Sequence, residues 1–299
     1  VLALDVISYY KFLESKDIHK TQEFLEFLQG AIDEVNPQAH FNISEILVNE
    51  TAAAWGQTAF VQPLTYTLSI LTYEILRKEK PELIPVFMLG HSVGAFSALT
   101  AAGALPYEDG IKVVSARGKF MQEESDQQNT GMYAVLGLTE EKVKEICVKT
   151  NTVIALQNAP TAFVIGCSKD LFPQIESEAR KLGARKTIRL ETSGAFHTNA
   201  MKNAYVKFKE FFKQYSLPTP TIPVVTNTYG TESLDPVELK TDVIESIINP
   251  INWTRMMEFL KKNAVNSYIE LGPGTSLFSL SRLNGVERDQ AFHARSLLA

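Results

Sequence analysis

The chain has 299 residues, 45% hydrophobic and 21% charged, which suits one large α/β domain, or such a domain with a smaller insert, around a substantial core. A formal net charge of -5 and a pI near 5.7 argue against nucleic acid as a partner, while leaving room for a local basic patch. The two cysteines, Cys147 and Cys167, make neither a disulfide framework nor a metal-ligand spacing, which suits a reducing compartment, and no apolar run reaches a membrane span.

The chain opens on Val1 rather than Met, compatible with removal of a native start or a targeting segment. Residues 1–7 (VLALDVI) read as a short strand, and 10–34 carry apolar residues at helical spacing. A buried helix is expected over 64–78. The apolar run Val86–Leu89 ends in Gly90, and a helix of small residues follows from Val93 to about Ala102. Strand, glycine turn and helix form the unit of a doubly wound α/β sheet.

Residues 128–193 change character. Strands are expected over Met132–Gly137, Thr152–Gln157, Ala162–Cys167 and Arg185–Leu190, with helices over Thr139–Lys149 and Asp170–Leu182. That order, β-α-β-β-α-β, is the ferredoxin-like motif. The expected organisation is therefore an α/β-hydrolase-like doubly wound sheet formed by 1–127 and 194–299, with 128–193 as an inserted ferredoxin-like subdomain. Helices return at 200–215 and 239–248, and a strand over Ser267–Glu270 enters the Gly272-Pro273-Gly274 turn.

Gly90-His91-Ser92-Val93-Gly94 matches G-x-S-x-G, a strained turn that projects a serine Oγ from the junction of strand and helix. The Val93 N–H, at the start of the helix, points where an acyl-transfer oxyanion would form. A serine needs a base to take its proton, and the chain holds five histidines: His19, His40, His91, His197 and His293. His19 and His40 have polar surroundings and read as surface residues. His91 adjoins the serine but should diverge from it, so on its own chemistry it reads as a structural histidine. A hydrolase-like order of Ser, acid, His favours His293. The small residues of Ser193-Gly194-Ala195 before Phe196-His197 suggest a tight loop facing a cleft and favour His197; the choice stays open at this point.

Several spaced motifs occur in order: Gln62-Pro63, the Ser92 turn continuing into Phe96-Ser97-Ala98-Leu99, and Arg117-Gly118-Lys119-Phe120-Met121-Gln122. Gly194-Ala195-Phe196-His197, Asn249-Pro250 with Trp253, and Glu270-Leu271-Gly272-Pro273-Gly274 follow. From about Trp55 to Arg295 the chain resembles malonyl-CoA:acyl-carrier-protein transacylases and, more widely, the acyltransferase domains of fatty acid and polyketide synthases. The resemblance implies an acyltransferase with Ser92 as nucleophile and His197 as base, the histidine steadied by the main-chain carbonyl of Ser246. It implies that Arg117 grips the malonyl carboxylate through its guanidinium fork, with Gln62, His91, Met121 and Phe196 around the substrate. Malonyl-CoA would be the donor substrate and an acyl carrier protein the partner, with no cofactor, no metal, no nucleic acid and no membrane involved. A cytoplasmic monomer is expected.

The family's opening strand and G-Q-G-S-Q loop correspond here to Leu4-Asp5-Val6-Ile7-Ser8-Tyr9-Tyr10, without glycine or glutamine. The second oxyanion donor would then be the N–H of Ile7 or Ser8. Ala95 replaces a common glutamate, and Ala162 a common glutamine. Two rival functions share the scaffold: a hydrolase that edits carrier-bound acyl thioesters, and a non-catalytic carrier-docking homologue. A general esterase based on His293 is a weaker third.

Overall fold

The computed structural model describes residues 2–38, 42–43, 46–47 and 56–299, with residues 2–7 as backbone only; His40 and Trp55 lie outside this set. Where a strand was expected over 1–7, the chain forms helix α1 (Leu2–Lys16). A short apolar run cannot be told from a helix segment by pattern alone, and the deciding signal is the four-residue step between buried Tyr9 and Leu13. The helical stretch expected over 10–34 breaks at Asp17, whose carboxylate accepts from the Lys20 N–H and starts α2 (Ile18–Val35).

Helix α3 (Thr58–Glu79) is buried on almost every side and accommodates Pro63 near its start. Strand β1 (Met88–Leu89) leads into α4 (Gly94–Ala101), and α5 (Tyr107–Asp126) packs closely on α3. Gly118 permits this approach, since a Cβ there would lie 2.8 Å from the Thr58 carbonyl oxygen. The largest core cluster joins α1 to α5 with later helices, and Phe60, Tyr66 and Phe96 sit fully buried at its centre.

The next six elements are β2 (Thr130–Leu136), α6 (Glu140–Thr150), β3 (Val153–Ala159), β4 (Ala162–Ser168), α7 (Phe172–Lys181) and β5 (Lys186–Leu190). They realise the β-α-β-β-α-β order, and their antiparallel strands lie side by side as β5-β2-β4-β3. Alternate residues of β2 explain why both faces are dry. Tyr133 and Val135 pack under α6 and α7, while Met132 and Ala134 face a second cluster that includes Phe196 and Ile251.

The remaining elements are α8 (Lys202–Phe212), β6 (Val224–Val225), β7 (Glu232–Ser233), α9 (Pro236–Glu245), β8 (Ile251–Asn252) and α10 (Trp253–Lys262), then β9 (Tyr268–Glu270), α11 (Ser276–Leu283), β10 (Ala291–His293) and α12 (Ala294–Leu298). β1 pairs in parallel with β6, and β9 with β10, in two short sheets. β8 adds in parallel to β3, so the five-stranded sheet draws one strand from outside residues 128–193. Among the described residues no helix is long and apolar enough to cross a membrane.

Candidate active site

The turn after β1 holds Ser92 at a φ of 55°, a left-handed conformation that a non-glycine residue adopts only when its surroundings enforce it. Gly90 is what allows the turn. A Cβ at that position would fall 2.0 Å from the backbone carbonyl carbon of Gly94. Gly94, by contrast, has open space where its Cβ would be, so close approach depends on the first glycine alone. The turn's backbone is braced from a distance: the Ser92 N–H donates to Asn227 Oδ1 at 2.9 Å, and Asn227 Nδ2 donates to the Gly90 carbonyl at 2.8 Å.

His197 lies across from the turn, buried and also left-handed at φ 61°. Its Nδ1–H donates to the Ser246 carbonyl at 2.5 Å, which leaves the Nε2 lone pair facing Ser92 Oγ at 2.9 Å. Burial first, and the charge of Arg117 second, push the His197 pKa down to about 3, while the bond to Ser246 acts the other way. At neutral pH the ring is therefore uncharged, the form that can accept a serine proton. His293 is engaged elsewhere. Its Nε2–H donates to the Gly272 carbonyl at 3.1 Å, its Nδ1 accepts from the Arg295 N–H at 3.2 Å, and its ring meets Tyr9 edge-on.

Arg117 projects from the middle of α5 and is 1% exposed. Nη2 donates to Ser92 Oγ at 3.2 Å, and Nη1 donates to Gln62 Oε1 in a short contact. Gln62 is oriented in turn by Thr58 Oγ1 at 2.8 Å and by Met121 Sδ at 3.5 Å. Phe96 lies under the guanidinium with its ring centre 5.7 Å away. Nε has no hydrogen-bond partner, and among the described residues no carboxylate pairs with the group. Burial lowers the Arg117 pKa to about 9, which still leaves it a cation at neutral pH. A buried cation without a counter-charge is costly, and an incoming anion beside Ser92 would relieve that cost.

Phe196, half-buried, packs against both the main core and the open face of the β2 sheet, next to the base. His91 turns away from the serine, its Nε2 3.0 Å from Asn158 Oδ1 and its ring beside Trp253. Burial lowers its pKa, with the Asn158 bond opposing the shift. Val93 begins the helical turn into α4, and none of the described residues accepts from its N–H. The expected second donor fails. Ile7 and Ser8 lie inside α1, where each N–H is committed to the carbonyl four residues back. Ser8 instead receives Arg295 Nη1 on its Oγ at 3.2 Å. His19 is an exposed surface residue, as its polar setting implied. Among the described residues, no three His, Cys, Asp or Glu side chains gather as metal ligands.

Sequence reasoning brought Ser92, His197, Arg117, Gln62, Met121 and Ser246 to one place, and it missed Asn158 and Asn227. Asn158 opens the Asn158-Ala159-Pro160 turn visible in the sequence, but nothing there pairs it with His91; Asn227 lies in no recognisable motif, and only the fold carries it to a turn 135 positions earlier.

The sequence model of the family described as "Acyl transferase domain" matches residues 19–275. The polyketide biosynthesis protein ThaF of Burkholderia thailandensis is 34% identical over 245 residues, covering 81% of this chain; the chain spans only 21% of that protein's length. A malonyl CoA-acyl carrier protein transacylase of Staphylococcus aureus is 30% identical over 254 residues, which are 83% of this chain and 80% of that one. Among solved structures, FabD of Acinetobacter baumannii superposes with a TM-score of 0.80 at 29% identity, covering 91% of this chain and 89% of its own. A malonyl-transacylase in complex with a type II polyketide acyl-carrier protein gives a TM-score of 0.82, covering 98% of this chain and 90% of its own; at 22% identity it bears on the fold alone.

Proposed function

The chain belongs to the acyltransferase family, and we propose that it is a malonyl-CoA:acyl-carrier-protein transacylase working through a malonyl ester of Ser92. The observation that carries this reading is the buried, uncompensated guanidinium of Arg117 hydrogen-bonded to the same Oγ that faces His197 Nε2. A neutral acyl group would leave that cation unpaired, whereas the carboxylate of a malonyl group accepts its fork.

Ser92 Oγ attacks the thioester carbonyl of malonyl-CoA as its proton passes to His197 Nε2. The oxyanion of the tetrahedral intermediate accepts from the Val93 N–H. His197, now protonated and held by the Ser246 carbonyl, returns the proton to the departing thiolate of CoA. The phosphopantetheine thiol of the carrier protein then attacks the serine ester, giving its proton to His197, which passes it to Ser92 Oγ as the ester breaks. Phe196 narrows the space beside the malonyl α-carbon; excluding a single methyl group this way is worth roughly 1–3 kcal/mol. No cofactor takes part in these steps. In this reading residues 1–127 and 194–299 form the catalytic domain and 128–193 the subdomain above it, and the protein works as a cytoplasmic monomer.

A second reading, a carrier-binding homologue with a slow centre, is favoured by one observation: the Ile7 and Ser8 N–H groups are used up inside α1. Intact-mass spectrometry separates the two. Mixing the protein with malonyl-CoA should add a malonyl group that Ser92→Ala does not acquire, and holo carrier protein should remove it. A folded protein that stays unmodified would sink the transacylase reading; an adduct lost to water without transfer would indicate an editing hydrolase.

A further inference from the structure

The brace behind Ser92 continues to a second residue. Asn227 is fully buried, and the orientation of its amide is forced: Oδ1 must face the Ser92 N–H and Nδ2 must face the Gly90 carbonyl. Asn227 stands in the turn between β6 and β7, closed by the Gly230 N–H to the Thr226 carbonyl at 3.1 Å. Its own carbonyl accepts from the Asn252 N–H at 3.1 Å, so a further partner must hold its N–H and that of Thr228. Asp242, 3% exposed on α9, does so with both oxygens. Oδ2 accepts from the Asn227 N–H at 2.8 Å, and Oδ1 accepts from the Thr228 N–H at 2.9 Å. One turn further along the same helix, Ser246 donates its N–H to the Asp242 carbonyl at 2.8 Å and offers its own carbonyl to His197. A single turn of α9 is thereby tied to both the serine and its base.

We propose that Asp242 is a positioning residue for the acyl transfer, acting through Asn227 to hold Ser92 Oγ in register with His197 Nε2; this rests on the reading of Ser92 as the nucleophile. The carboxylate suits the task because it accepts two N–H bonds at once. An asparagine there presents one oxygen and one NH2, and the NH2 would confront a backbone N–H. The loop must then shift and the amide of Asn227 tilts with it. Displacement of a reacting group by about 1 Å costs on the order of 10²-fold in rate, with substrate binding at Arg117 left intact.

The test compares Asp242→Asn and Asn227→Ala with Ser233→Ala, which removes a buried hydroxyl from the neighbouring β7 without touching Asn227. Two rates are measured per folded molecule, with the folded fraction taken from thermal melts. One is malonyl transfer, resolved into kcat and KM; the other is modification of Ser92 by a small uncharged sulfonyl fluoride. Both Asp242→Asn and Asn227→Ala should lose about 10²-fold in kcat and in sulfonylation, with KM for malonyl-CoA within about twofold. Ser233→Ala should keep both rates even if it melts earlier. Normal rates per folded molecule in the two variants, or a rise in KM at constant kcat, would overturn the proposal. The sulfonyl fluoride keeps the two readings apart. A wild type that reacts with it but takes no malonyl group would refute the malonyl reading and leave the positioning role to be judged on sulfonylation. A wild type that neither reacts with the reagent nor takes a malonyl group would refute both.

Discussion

At the scale of the residue, the proposed substrate choice falls to Arg117, the one buried cation in contact with Ser92 among the described residues. Its Nη1 donates to Gln62 and its Nη2 to Ser92 Oγ, while Nε has no partner, so Nε and the second N–H of Nη2 form an edge that can meet a carboxylate. Charge-assisted hydrogen bonds contribute about 1.5–3 kcal/mol each, so losing two of them should cost at least about 10²-fold in kcat/KM for a malonyl donor. Arg117→Ala should show that loss while reacting relatively better with an acetyl donor, since no unpaired cation then opposes the neutral group. Arg117→Lys keeps the charge but not the planar fork and should recover only part of the rate. Rates of serine acylation from malonyl-CoA and acetyl-CoA, read by mass, check this; an unchanged ratio in Arg117→Ala would remove the residue from substrate selection.

At the scale of elements, what was legible in the sequence was local. The run into Gly90, the small-residue helix after it and the alternation through 130–190 each depend on a few neighbouring residues, and all three appear in the fold. The sequence also pointed to Gly90 and Gly94 as a pair, and the structure separates them. Gly90→Ala should fail to fold or melt far earlier, because its methyl meets immovable backbone at 2.0 Å. Gly94→Ala, at the start of α4 with open space around it, should fold with a nearly unchanged melting temperature. Soluble yield and thermal melts of the two variants test the contrast, and equal damage from both would refute it. What the sequence hid was long-range. The residues alone left His197 and His293 open; the family resemblance implied His197 with the Ser246 carbonyl, and the fold sets that carbonyl 2.5 Å from His197 Nδ1 while His293 is engaged with Gly272. The apolar run over 1–7 suggests a strand because it is short, and the step from Tyr9 to Leu13 that marks it as the start of α1 lies beyond that window. β6, β7 and β8 span two residues each, too few for any alternation to register.

For the molecule as a whole, the same burial that keeps the base neutral sets how stability responds to acid. His91, His197 and His293 all have pKa values lowered from 6.5, in each case chiefly by burial. Below 6.5 the unfolded chain takes up protons at these sites that the folded chain refuses, so stability present at neutral pH is lost as the pH falls through that value. For His197 the window runs from 6.5 down to about 3, and well inside it the loss approaches about 1.4 kcal/mol per pH unit. Two buried carboxyls work in the opposite sense. Asp242 and Glu270 have pKa values raised from 3.8 and 4.5, again chiefly by burial, so the folded state keeps their protons longer than the unfolded chain does. Their contribution is full in acid and is lost as the pH rises through windows that open at those lower values. Three histidines against two carboxyls, with the histidine windows opening higher, should make the melting temperature fall between pH 7.5 and 5.5. His197→Gln, which can still donate to the Ser246 carbonyl but cannot titrate, should flatten that fall. Melting curves of both proteins across the range decide the matter. A pH dependence of the melting temperature that is the same in His197→Gln as in the wild type would mean that His197 titrates alike in the folded and unfolded chains, and that the base is not held neutral by the fold.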